Sequence, residues 1–155
     1  MTTPKLLDGI RVLDLTNVLS GPFATLHLAL LGAEVIKIEN PVDGDLARKL
    51  GNVPELNDRL MGTSFLAQNA NKKSMTLNLK EREAREIFFK LVRTADVVVE
   101  NFRPGVMERL GLSYERLRER KHDLVYCAIS GVGQTGPDAL KPAYDQIIHV
   151  GGICG

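Results

Sequence analysis

The chain has 155 residues, 20 Lys+Arg against 19 Asp+Glu for a formal net charge of +1, and 44% apolar residues. That is enough for one domain with a real core, and it gives no electrostatic case for nucleic acid or an anionic membrane as the main partner. Aromatic residues make up 5% and Trp is absent, which argues against a base-stacking platform.

There is no apolar run of about 18 residues, so no membrane span is expected. Residues 1–9 hold one Lys and no apolar segment of the secretory type. Cys127 and Cys154 do not make a disulfide framework. The expectation is two reduced thiols in a cytoplasmic protein.

Residues 10–15 (IRVLDL) read as a buried strand with an acid near its end. Residues 16–21 are turn and cap types, and Pro22 suits the first turn of a helix, where a missing N–H is harmless. That helix runs through Phe23, Leu26, Leu30 and Leu31 and stops at Gly32. Residues 34–39 (EVIKIE) form a second strand. Residues 40–58 read as a loop with Pro41, Gly44, Gly51 and Pro54, of a length that is usually functional or mobile.

Residues 69–74 are a polar turn. Residues 74–79 alternate as a half-buried strand does, with Met75, Leu77 and Leu79 on one face. Residues 81–94 carry Ala84, Ile87, Phe88, Leu91 and Val92 at helical spacing. Residues 96–100 (DVVVE) are a strand and 104–110 a short helix ended by Gly111. Ser113 caps a helix over 114–120, and 124–129 is again a strand. A Gly/Pro-rich loop covers 130–142. From residue 143 the pattern is helical through Tyr144, Ile147, Ile148 and Ile153.

Strands and helices alternate. This predicts an α/β, Rossmann-like domain with a largely parallel sheet, helices on both faces, and ligand sites at the carboxyl ends of strands. The last apolar pattern runs out without a polar tail, so the chain is expected to be the front part of a larger fold.

Gly131-x-Gly133-x-x-Gly136 fits the dinucleotide fingerprint and follows a strand. The fingerprint needs a helix whose N-terminus meets a pyrophosphate and an acid about 20 residues on. Pro137 and Pro142 bracket the segment that follows, and the acid is missing, so the reading is a flexible glycine loop. His27, His122 and His149 have no metal-ligand spacing, and His27 is expected to be packed in its apolar helix. No G-x-S-x-G elbow is present, and neither Cys has a base nearby in sequence.

The strand-end turns say more. The first strand passes into Thr16-Asn17-Val18-Leu19-Ser20-Gly21-Pro22 and then a helix, whose free N–H groups could bind a phosphate or a thioester oxygen. DVVVE passes into Asn101-Phe102-Arg103-Pro104-Gly105. Lys72, Lys73, Lys80, Arg103 and Arg109 are candidate phosphate partners.

The blocks LLDGIRVLDLTNVLSGP (6–22), LGAEVIKIE (31–39), GDLAR (44–48), NANKKSMTLNLK (69–80), ADVVVENFRPGVMERLGL (95–112) and AYDQ (143–146) together resemble the class III coenzyme A transferases. The resemblance covers nearly the whole chain in order and spacing. It implies a Rossmann-like large domain that carries CoA, a smaller domain, and two subunits interlocked like links of a chain. Residues 1–155 would be the N-terminal CoA-binding part.

The implied reaction moves CoA from a thioester to a small carboxylic acid through an aspartyl nucleophile, so that one hard transfer becomes two easier ones. Acyl-CoA and CoA enter as substrates and no cofactor is held permanently. By the same resemblance, Asn17, Val18, Leu19 and Ser20 lie along CoA beside the thioester. Leu77 and Lys80 lie near the adenosine part, Asn101 and Phe102 contact CoA, and Arg109 and Leu110 hold the nucleotide end. Tyr144 and Leu19 belong to the active-site neighbourhood.

The chain departs from formyl-CoA transferase at two positions, one within the first block and one just after the second. Asn40 replaces an Arg, so one phosphate contact is expected either to be missing or to come from Lys72 or Arg48. Leu19 replaces a Gln, so substrate details tied to that side chain do not transfer. The family's nucleophilic Asp lies in a later block, and Asp145 is not that residue. No catalytic residue is therefore assigned within the chain, and the 155 residues are expected to be inactive alone. Acyl-CoA racemases share this front half but carry a His where Tyr144 stands, and a Tyr cannot serve as a near-neutral proton carrier. A racemase-like fragment, a catalytically dead remnant pairing with a full-length partner, and a plain dinucleotide module are the rival readings. Apolar surface is expected to be exposed on the isolated chain.

Overall fold

A computed structural model describes residues 5–143 and 147. Its strands are β1 (Arg11–Asp14), β2 (Glu34–Glu39), β3 (Lys73–Thr76), β4 (Val97–Glu100) and β5 (Val125–Ala128). Its helices are α1 (Ser20–Leu30), α2 (Pro54–Asp58), α3 (Thr63–Asn69), α4 (Arg82–Val92), α5 (Val106–Arg109) and α6 (Tyr114–Arg118), with a 3-10 turn at Leu46–Lys49. The five strands form one sheet in the order β3-β2-β1-β4-β5. Every pairing is parallel, as strands joined by helical crossovers require. The expected α/β architecture is the observed one.

The alternation of side chains along each strand sorts the core into two faces. Leu13 and Val98 point to the side covered by α4, α5 and α6, where they meet Phe88, Val92, Met107, Leu112 and Leu117. Val12, Val35 and Val99 point to the other side and pack with Ala29 of α1. Helices thus lie on both faces. Met75, Leu77 and Leu79 join the first cluster, as their spacing predicts, although the ladder itself ends at Thr76.

Some local expectations change. The stretch 40–58 is not bare loop: it holds the 3-10 turn and α2, whose Pro54 occupies its first turn. Ser113 precedes α6 but makes no side-chain cap bond. His27 is exposed rather than packed, and its Nδ1 lies 2.9 Å from the Phe23 carbonyl. The cause is the face that α1 buries: its contact side is Gly21, Pro22, Thr25 and Ala29. Phe23 and Leu30 consequently stand more than half exposed, at 54% and 56%. Among the described residues, no helix is long and apolar enough to cross a membrane. Tyr144, Asp145 and Cys154, together with most of the helix expected from 143 onward, lie outside the described residues.

Candidate functional site

The chain order reverses between β1 and β4. β2 and β3 extend the sheet on one side of β1, and β4 and β5 extend it on the other. At such a switch point the turns leaving neighbouring strands diverge and leave a crevice. Here the crevice is a cavity of about 570 Å³. Asn17, Val18, Leu19 and Ser20 line it from the turn after β1, and Asn101, Phe102, Arg103 and Pro104 from the turn after β4. Ile129, Ser130 and Gly131 add the turn after β5, and Ala139, Lys141, Pro142 and Ala143 close it.

The floor of the β1 turn is tied down group by group. Thr16 N–H donates to Asp14 Oδ1 at 2.9 Å. Asn17 N–H donates to Asn101 Oδ1, and Asn101 Nδ2 returns to the Asn17 carbonyl, both at 2.8 Å. Val18 N–H donates to Asp45 Oδ1 at 2.9 Å. Val18 adopts φ 69°, a left-handed conformation that a β-branched residue disfavours by about 1–3 kcal/mol. α1 follows at once, and its N-cap, Leu19, makes no side-chain cap bond. Among the described residues, nothing accepts from the N–H groups of Leu19, Ser20 or Gly21. The cavity is therefore bordered by helix-start donors carrying a partial positive charge. Gly21 has to be glycine: a Cβ there would sit 2.3 Å from Thr16 Cβ.

Asp45 reaches the turn from the GDLAR segment. Gly44, at φ 63°, makes the reversal that delivers it. Asp45 is fully buried, and its Oδ2 pairs with Lys37 Nζ at 2.9 Å. Lys37 also donates to the Thr16 carbonyl at 2.7 Å. Beside this pair, Glu39 accepts from Arg48 Nε and Nη2, both at 2.7 Å, and from Asp45 N–H at 2.9 Å. Burial pushes the Glu39 carboxyl up, but the Arg48 bonds, the Asp45 N–H and the charges of Arg48 and Lys37 outweigh it and hold the group below its ordinary value. The Arg48 guanidinium also stacks 3.7 Å from the Phe65 ring centre.

The Lys72 side chain is 1% exposed and pairs with Asp14, whose side chain is 0% exposed, at 3.0 Å. Its ammonium also meets the Pro22 carbonyl at 2.9 Å, Thr25 Oγ1 at 2.8 Å and Asn69 Oδ1 at 2.9 Å. Burial lowers its pKa, and Asp14 only partly opposes the effect. Lys72 and Arg48 are the two cations the sequence offers for a phosphate contact in place of an Arg at position 40, if that contact exists at all. The structure commits both to internal carboxylates instead. Lys73 likewise pairs with Glu34.

On the other flank, Glu100 is buried and accepts from Phe102 N–H at 2.7 Å and Tyr126 OH at 3.2 Å. Burial pushes its carboxyl above the ordinary value, and the Tyr126 hydroxyl is pushed up by burial and by Glu100. The Phe102 peptide is thereby fixed at the cavity edge.

The sequence-predicted residues divide accordingly. Asn17, Val18, Leu19, Ser20, Asn101 and Phe102 share one cavity. Leu77, Lys80, Arg109 and Leu110 do not line it. Leu77 is buried in the core and Leu110 packs against it, whereas Lys80 and Arg109 are exposed. Asn101 is bonded to backbone rather than free. Sequence reasoning missed Lys37 and Asp45 as parts of the site. The available signals were a lysine between two isoleucines in EVIKIE and the GDLAR block that carries Asp45. Among the described residues, no cluster of His, Cys, Asp and Glu could hold a metal ion.

The profile of CoA-transferase family III matches residues 7–154. Acetyl-CoA:oxalate CoA-transferase of Acetobacter aceti is 52% identical over 92% of this chain and 36% of its own length. Succinyl-CoA:glutarate CoA-transferase of Mus musculus is 46% identical over 92% of this chain and 32% of its own length. The crystal structure of a CAIB/BAIF family protein from Brucella suis superposes with a TM-score of 0.87 at 38% identity, covering 97% of this chain and 40% of that one. The chain thus spans about a third of the length of the curated relatives it matches. With five parallel strands, a switch-point cavity between β1 and β4, and a family profile over nearly all of its residues, the chain belongs to CoA-transferase family III.

Proposed function

We infer that the cavity between β1 and β4 receives the thioester end of an acyl-CoA, and that the protein moves coenzyme A from that thioester to a carboxylic acid. One observation carries the reading. The turns after β1 and β4 meet in a single cavity at the switch point, and among the described residues nothing accepts from the N–H groups of Leu19 and Ser20, which line it. Donors fixed in place before a charge develops stabilise an oxyanion without reorganising, and a thioester carbonyl under attack is such a group. The cavity volume suits the acyl and pantetheine portions. The nucleotide portion extends over the surface toward Lys80 and Arg109, with Leu77 and Leu110 behind them. Arg103, at the cavity edge, is placed to meet a phosphate. Tyr144, of the AYDQ block, belongs to the active-site neighbourhood in the same reading.

Residues 1–155 make up the CoA-binding subdomain in this reading. The carboxylate that attacks the donor thioester belongs to polypeptide outside these residues, so the chain alone binds without turning over. No cofactor is held permanently, and the protein works as a cytoplasmic homodimer. The exposed apolar side of α1, with Phe23 and Leu30, supports a covering protein surface there.

Thermal unfolding of the 155-residue chain with and without CoA tests the site. A ligand that binds only the folded state raises the midpoint, by about 2.7 kcal/mol of stability at 100 times Kd. An unchanged midpoint at millimolar CoA would count against it. Steady transferase turnover by the chain alone would overturn the placement of the nucleophile. Sedimentation equilibrium decides the dimer.

A further inference from the structure

The Lys37–Asp45 pair has no role in the reaction outlined above, yet its bonds converge on one place. Lys37 holds the Thr16 carbonyl at 2.7 Å, and Asp45 holds the Val18 N–H at 2.9 Å. Both side chains are almost wholly withdrawn from solvent, at 1% and 0% exposure. A buried ion pair is weak evidence for stability, because desolvation consumes much of what the charges return. Val18 supplies the other half of the argument. A β-branched residue keeps φ 69° only when its surroundings impose it. The Asp45 carboxylate is the group bonded to its N–H. Asp45 is in turn fixed through its own N–H by Glu39 Oε2 at 2.9 Å. The next residues, Leu19 and Ser20, line the cavity, and among the described residues nothing accepts from their N–H groups.

We propose that Asp45, anchored by Lys37, is a positioning residue: it imposes the left-handed turn at Val18, and that turn sets Leu19 and Ser20 at the cavity edge where an acyl-CoA binds. The idea rests on the site assignment given under Proposed function. It explains why a reversal at Gly44 brings an acid back across the end of β2 to a turn that leaves β1. Without the Asp45 acceptor, Val18 returns to negative φ and the two following residues shift away from Phe102.

Amide hydrogen exchange and CoA titration on the 155-residue chain test this. In the parent chain, Val18 N–H is expected to exchange at least about tenfold more slowly than those of Leu19 and Ser20, and CoA then slows the latter two. Asp45→Ala is expected to weaken CoA binding about tenfold. Adding Val18→Gly to that variant is expected to restore most of the loss, because glycine takes a positive φ without help. A purely destabilising defect at position 45 would not be rescued by a change that adds no contact. The proposal is overturned if Val18 N–H exchanges as fast as its neighbours in the parent. It is equally overturned if folded Asp45→Ala binds CoA as the parent does, or if Val18→Gly restores nothing. Should Asp45→Ala fail to fold, the exchange comparison in the parent decides. A parent chain that does not bind CoA counts against the site assignment, and the Val18 exchange rate still judges the positioning claim separately.

Discussion

The side-chain amide of Asn101 brackets the peptide of Asn17, accepting its N–H and donating to its carbonyl, each at 2.8 Å. A residue that follows β4 thereby mimics a strand partner for the turn after β1 and joins the two walls of the cavity. The Asn of the VENF block serves the protein's own backbone.

Asn101→Ala leaves two half-buried backbone groups without partners. The expected cost is about 1–3 kcal/mol in urea unfolding, with a loss of CoA affinity measured by calorimetry. Unchanged stability would show that the bracket contributes nothing to holding the turn.

The Lys72 side chain is held among internal partners, paired with Asp14 and 1% exposed. Lys72→Ala strands the buried Asp14 carboxylate and is expected to cost about 3–5 kcal/mol. Denaturant titration checks this. A variant as stable as the parent but defective only in CoA binding would return Lys72 to the ligand site.

Glu39 gives the fold an acid-labile element. Its folded pKa lies below the ordinary 4.5, because the Arg48 bonds, the Asp45 N–H and the nearby cations outweigh the upward push of burial. The folded state then binds fewer protons than the unfolded one. The contribution is complete above about pH 4.5 and is lost as pH falls through the depressed value. Glu39→Gln should flatten the acid limb of a stability profile measured between about pH 7 and 3.

Glu100 works in the opposite direction. Burial raises its folded pKa above 4.5, so the folded state binds more protons, and stability falls as pH rises from the unfolded value through the folded one. Glu100→Gln should therefore gain on the parent as pH climbs over that window. Midpoints of urea unfolding at paired pH values give the comparison, and a constant difference would refute the assignment.

Gly21 sets how closely α1 approaches the β1 turn. Gly21→Ala places a Cβ 2.3 Å from the Thr16 side chain, itself bonded to Asp14. The expected destabilisation is about 1–3 kcal/mol, read from the thermal midpoint.

The alternation of short apolar strands with amphipathic helices, visible in EVIKIE, DVVVE and residues 81–94, is a local property. It was enough by itself to determine a parallel α/β sheet and to place the turns after the first and fourth strands at its carboxyl end. The blocks around Asn17 and Asn101 likewise located the cavity walls. Side-chain partnership was decided only by the tertiary structure. Lys72 meets Asp14 across 58 residues of sequence, and Asn101 meets Asn17 across 84. Lys37 and Lys80 are the same letter, yet one is buried against Asp45 and the other is exposed. No periodicity encodes that difference, because burial of a charge depends on which distant carboxylate the folded chain brings beside it.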